Sequence, residues 1–169
     1  TNGPACVSDL QRGWAMYLSQ NWGAQRPVEP RISLITLGVD DLACSLAFYR
    51  DGLGLPTTWD VEKGVIFFKT SGVTLALYPY DRLAEDVSDE FRVPRAKFAG
   101  ITIAHNVREQ REVDELMARA KRAGAKIEKP AQPTFWGGYC GYFSDPDGYL
   151  WEVAYGAFPF KPDGSLDIP

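Results

Sequence analysis

The sequence predicts an α+β fold: two tandem βαβββ modules forming an eight-stranded open cup-shaped sheet. Three observations predict it. The order strand, helix, strand, hairpin occurs twice, over residues 31–80 and 98–156. Each helix runs into glycine, at Gly52 to Gly54 and at Gly124, where a left-handed residue ends a helix without a Cβ penalty. Asp147-Gly148 lies between two apolar strands and supplies a tight hairpin turn. A sheet of this kind covers one face with its helix. The other face needs a second cover, so two curved sheets are expected to enclose a cleft.

The elements follow in order. Residues 1–30 read as an N-terminal helix and linker. Ser8 to Gln11 fits a capping box, Leu10, Trp14, Tyr17 and Leu18 recur at helical spacing, and Pro27 and Pro30 make the linker extended. Ile32 to Val39 is a strand. Asp40 or Asp41 caps a helix with Leu42, Leu46 and Tyr49 on one face. Thr57 to Asp60 is a short strand, and Val65 to Lys69 and Val73 to Tyr78 form a hairpin around Ser71-Gly72. Residues 81–97 are a charged short helix and linker. The second module opens on a strand, Gly100 to Val107, and a helix, Arg108 to Ala123, with Val113, Leu116, Met117 and Ala120 inward. Strands at Ala125 to Lys129, Gly138 to Ser144 and Tyr149 to Tyr155 complete it. Residues 157–169 are an irregular, proline-rich tail.

The totals exclude several function classes. Hydrophobic residues make up 45% of the 169, enough for a packed core. The net charge is −4 and the basic residues are dispersed, which speaks against nucleic acid or an anionic membrane as partner. No apolar run approaches the ~20 residues of a membrane span, and the first residues lack a basic-then-apolar signal pattern. Three scattered cysteines, Cys6, Cys44 and Cys140, form no disulfide framework or metal knuckle. A cytoplasmic protein is expected. One histidine, His105, is too few for a His-rich metal site.

Taken together, Ile32 to Leu42, the Ser45-Leu46-Ala47-Phe48-Tyr49 helix, Gly52-Leu53-Gly54-Leu55 and Asp145-Pro146-Asp147-Gly148 running into Trp151-Glu152-Val153 resemble the vicinal oxygen chelate superfamily. That superfamily holds glyoxalase I, extradiol dioxygenases, methylmalonyl-CoA epimerase and the fosfomycin- and bleomycin-resistance proteins. The resemblance covers residues 31–156. It implies metal ligands at the positions of Leu34, Ala76, Thr102 and Glu152, of which only Glu152 can ligate. No metal and no cofactor are therefore expected, and the bleomycin-resistance type, a binder without turnover, is the nearest analogy.

Strand alternation sorts the cleft residues. Glu152, Tyr142 and Cys140 share a face, as do Thr102, Ala104 and Asn106, and as do Leu34, Thr36 and Gly38. The expected ligand-binding set is Thr36, Thr102, Asn106, Trp136, Cys140, Tyr142 and Glu152, around a small apolar or aromatic molecule. Glu152 and Tyr142 are the catalytic pair if a reaction occurs, with Glu152 as general base. Alternatively Glu152 pairs a cationic ligand, or only hydrogen-bonds its neighbours. Trp136, in a Gly- and aromatic-rich approach from Pro130 to Tyr139, is either a platform over the cleft or a plug at the sheet end. Cys140 reads as a buried thiol, and His105 as a residue of the helix-covered face. The family implies a homodimer. The competing readings are a lyase or isomerase using Glu152, and a scaffold with no ligand.

Overall fold

Seven strands, in two sheets, carry the fold in the computed structural model, which describes residues 30–94, 96–156 and 158–168. The expected N-terminal helix, with Cys6, Trp14 and Trp22, lies outside the described residues. The first sheet takes β1 (Leu34–Val39), β2 (Ile66–Phe68) and β3 (Thr74–Pro79) in the order β1-β3-β2. The second takes β4 (Ile103–Val107), β5 (Lys126–Pro133), β6 (Tyr139–Ser144) and β7 (Leu150–Tyr155) in the order β4-β7-β6-β5.

The eighth expected strand, Thr57 to Asp60, does not form. Pro56 has no N–H to give a ladder, and the Thr57 hydroxyl donates to the Phe67 carbonyl at 2.6 Å, occupying an acceptor that a neighbouring strand would use. The same oxygen accepts from Trp59 N–H at 3.0 Å, which turns the chain away from the sheet. One backbone bond remains, from Lys69 N–H to Pro56 O at 2.9 Å.

Asp41, rather than Asp40, caps the first helix. Its carboxylate accepts from the N–H groups of Ala43 and Cys44 at 2.8 and 2.9 Å. This α1 (Leu42–Leu46) continues as a wider π turn through Ala47–Gly52. Tyr80–Val87 forms α2, the expected short helix, starting one residue before the stretch 81–97. The second module's helix, α3, is Gln110–Arg122 and starts two residues after the expected Arg108. The Glu112 carboxylate accepts from the N–H groups of both Arg108 and Glu109 at 2.8 Å, so part of the charged run is a cap.

Both modules turn their helix-bearing sides to one core. Tyr49 of α1 packs on Phe68 of the first sheet at 5.7 Å and on Trp151 of the second at 5.9 Å between ring centroids. Phe48 meets Phe143 at 6.3 Å. Leu37, Val39, Leu75 and Leu77 join Val113, Met117, Phe143 and Val153 in the same buried cluster. The Asp145–Gly148 turn fastens this joint. Asp145 is buried and accepts from Tyr49 Oη at 2.5 Å, and Trp151 Nε1 donates to the same Tyr49 oxygen at 3.1 Å. Asp147 accepts from Asp40 N–H at 2.7 Å and from Ser45 Oγ at 2.6 Å. Gly52 sits where a Cβ would overlap Ala123 Cβ, so the ends of α1 and α3 approach closely only because Gly52 has no side chain.

Because strand side chains alternate, the faces opposite this core point away from it. On the first sheet that face carries half-buried Thr36 and Phe67 on either side of Ala76, which is fully buried. The second presents Glu152. Among the described residues, the cleft between these two faces that the sequence led us to expect is therefore not formed within one chain.

Candidate functional site

The free face of the second sheet is an ordered grid. In register across the strands, Ala104, Glu152, Tyr142 and Lys129 form one row. Asn106, Ala154, Cys140 and Gln132 form the next. Trp151 and Val153, on the same strand as Glu152, point into the core, so burial of those two residues holds the carboxylate outward.

Tyr142 and Glu152 are half-buried, and Cys140 is 2% exposed. Burial, then the facing Glu152 carboxylate as acceptor and as charge, push Tyr142 up to about 12. The phenol therefore stays protonated and donates at neutral pH. Burial and the Glu152 charge also raise Cys140, while Lys129 pulls the other way. A thiol kept protonated is a poor nucleophile.

Trp136 bounds the grid at one end. A Cβ placed on Gly138 would overlap its indole, and one on Gly156 would lie 3.4 Å from it. Gly138 and Cys140 are two residues apart, so the ring stands on the face that carries Cys140 and Tyr142. Thr134 Oγ1 accepts from Gly138 N–H at 2.9 Å and closes the loop that carries Trp136.

The expected site residues divide. Glu152, Tyr142, Cys140, Asn106 and Trp136 share this face. Thr102 is exposed, one residue before β4 begins, and its hydroxyl lies at the margin of the grid. Thr36 is on the first sheet and faces away from the core on the other side, so one chain does not bring it to Glu152. His105 pairs with Val153 and shares its helix-side orientation. The ring reaches solvent, yet its surroundings desolvate it enough to lower its pKa, against an upward pull from Glu112.

Sequence reading missed Lys129 and Gln132. The stretch from Pro130 to Pro133, expected as loop, belongs to β5. Register shifts between Ile127 and Lys129, and again before Gln132, turn both side chains onto the grid. The Lys129 ammonium lies 5.7 Å from the Tyr142 ring centroid. Two prolines in a strand mark an edge strand or a bulge, and that was the available signal.

A metal does not fit here. Leu34 and Ala76 are hydrocarbon and sit on the other sheet, leaving Glu152 as the lone strong donor among the four positions. Among the described residues, no three His, Cys, Asp or Glu side chains converge as ligands. No helix among them is long and apolar enough to cross a membrane.

A family model for the Glyoxalase/Bleomycin resistance protein/Dioxygenase superfamily matches residues 31–153. The chain belongs to that superfamily. A glyoxalase-related enzyme from Fulvimarina pelagi is similar in structure, with a TM-score of 0.74 and 35% identity over 83% of this chain and 99% of that one. A lactoylglutathione lyase from Agrobacterium tumefaciens has a TM-score of 0.58 and 28% identity, covering 76% and 96% of the two chains. The uncharacterized protein YraH of Bacillus subtilis (strain 168) is 29% identical over 121 residues, 70% of this chain and 93% of that protein. Such superfamily membership accounts for the fold, and function has to be argued from the grid.

Proposed function

We propose that this superfamily member binds a small organic molecule on the free face of its second sheet, without a metal ion. The observation that carries the proposal is the row Glu152–Tyr142–Lys129, bounded by the Trp136 indole. It offers a carboxylate, a phenol kept protonated by its surroundings and an ammonium beside an aromatic platform. A few fixed polar groups on an otherwise apolar wall suit an apolar or aromatic ligand with one polar end. The protein acts as a cytoplasmic binder of the bleomycin-resistance type.

The site is completed by a second copy. The free faces of one chain diverge from a shared core, and β1 and β4 are both sheet edges. A homodimer that sets the Thr36 face of one chain over the Glu152 face of its partner forms the enclosed cleft that a single chain lacks. Sedimentation analysis tests this; a chain monomeric at all concentrations overturns it.

A second reading is favoured by the Tyr142–Glu152 contact. Glu152 as general base and Tyr142 as hydrogen-bond donor make a lyase or isomerase pair, and lactoylglutathione lyase is among the structures similar to this one. A thermal-shift screen against small aromatic acids, amines and thioesters, in chelator, separates the readings. A ligand at ~100 times its dissociation constant adds about 2.7 kcal/mol of stability. Stabilisation without turnover supports the binder. Turnover that Glu152→Gln abolishes while the fold persists supports the enzyme. Stabilisation that requires added metal overturns the proposal.

A further inference from the structure

We infer that the ligand is amphipathic and elongated, and that its apolar end occupies a separate recess formed where the inter-module linker roofs the other end of the grid. This deepens the proposal above and rests on it. The recess has a volume of about 1080 Å³, at the upper end of what small-molecule sites occupy. Neither Glu152 nor Tyr142 lines it. Its walls are Val93, Phe98 and Ile101 from the linker, which here runs on to the start of β4, with Tyr149 just before β7 and Leu150 at its first position.

Three features assign an apolar occupant. First, Val93, Phe98 and Ile101 are 54%, 62% and 52% exposed, a run of large apolar side chains on one short segment that lines one recess. Second, the charged groups there already hold polar partners, Asp145 on Tyr49 Oη and Asp147 on Ser45 Oγ among them. Lys126 Nζ lies 2.9 Å from the Glu128 carboxylate, Ser144 Oγ donates to that carboxylate at 2.8 Å, and Lys97 also stabilises it. An ionic ligand would compete with these contacts, whereas a neutral apolar group displaces only water. Third, the linker is held in place at its start. Tyr80 Oη donates to the Val93 carbonyl at 2.6 Å.

The recess and the polar row are continuous. Leu150 and Glu152 are two residues apart on β7 and share a face, so their side chains are about 7 Å apart along the strand. One molecule of about 10 Å reaches both. A protein segment is a poorer occupant than a small molecule, since the feature is a pocket and not the broad flat surface that stable protein interfaces use.

The neutral fluorophore N-phenylnaphthylamine tests the assignment on the full chain. It is titrated into the wild type, Ile101→Lys, Phe98→Asp and Glu152→Gln, with circular dichroism to confirm folding. The substituted linker residues are exposed, so both linker variants are expected to fold. The inference predicts saturable binding to the wild type, weakened about tenfold or more in each linker variant and changed less than about twofold in Glu152→Gln. It also predicts shifts of the Leu150 and Ile101 methyl resonances on binding. No saturable binding, or binding insensitive to both linker variants, overturns the recess and leaves the Tyr142–Glu152 reading standing. Loss in Glu152→Gln alone places the probe over the polar row and overturns the recess equally.

Discussion

The two modules repeat one fold, yet their free faces differ. That side of the first sheet carries Thr36, Phe67 and the buried Ala76; that side of the second carries Glu152, Tyr142, Asn106, Lys129 and the buried Cys140. Their core faces, by contrast, are alike and fused. Duplication thus supplies two scaffolds joined by one core, and the polar chemistry is concentrated on one of them. Substitutions at the joint should cost stability, and substitutions on the second free face should alter ligand contacts with little effect on folding.

The largest effect is expected at the joint. Tyr49→Phe keeps the ring but removes the donor to the buried Asp145 carboxylate, and should cost about 3 kcal/mol in urea unfolding at neutral pH. The cost has a pH sign. Burial already raises Asp145, so its contribution to stability falls as pH rises above the ordinary aspartate range. The Tyr49 bond opposes that rise by favouring the carboxylate. Removing it raises Asp145 further, so the gap between variant and wild type should widen with pH and, at about pH 3.5, shrink to the pH-independent cost of leaving the Trp151 indole N–H without its Tyr49 acceptor. A gap independent of pH would show that Asp145 does not ionise in the fold.

Gly52→Ala comes next. The new methyl meets Ala123 at the crossing of the two helix ends and should cost about 2 kcal/mol through overpacking. Gly138→Ala is the contrasting case on the second free face. Its methyl displaces the half-exposed Trp136 indole, so tryptophan emission should shift while stability falls by about 1 kcal/mol or less. Smallest is Thr36→Val, expected within about 0.5 kcal/mol of wild type in stability. Any effect of Thr36→Val on ligand affinity would then report a partner chain's first sheet lying over the site.

Much of this contrast was legible in the sequence. Alternation placed Glu152, Tyr142 and Cys140 together because Trp151 and Val153, between and beyond, are core residues that fix the phase. Trp136 was legible from the glycines around it. What failed did so for local reasons. Thr57 turned its hydroxyl onto the neighbouring strand and a predicted strand was lost. Bulges on β5 carried Lys129 onto the grid, where simple alternation from Ile127 would have put it in the core. The relation between the two sheets was not legible at all. Periodicity says that each sheet has an inner face, but not that Tyr49 bridges the two inner faces.

Fragment mapping by amide chemical shifts, on the full chain in chelator, tests the account most directly. A mixture of small aromatic acids and amines should perturb a contiguous set at Trp136, Cys140, Tyr142 and Glu152, and Glu152→Gln should both abolish that set and lower the Tyr142 pKa from about 12. Perturbations confined to Thr36, Ala76 and Phe67, or appearing only after a divalent metal is added, would contradict it.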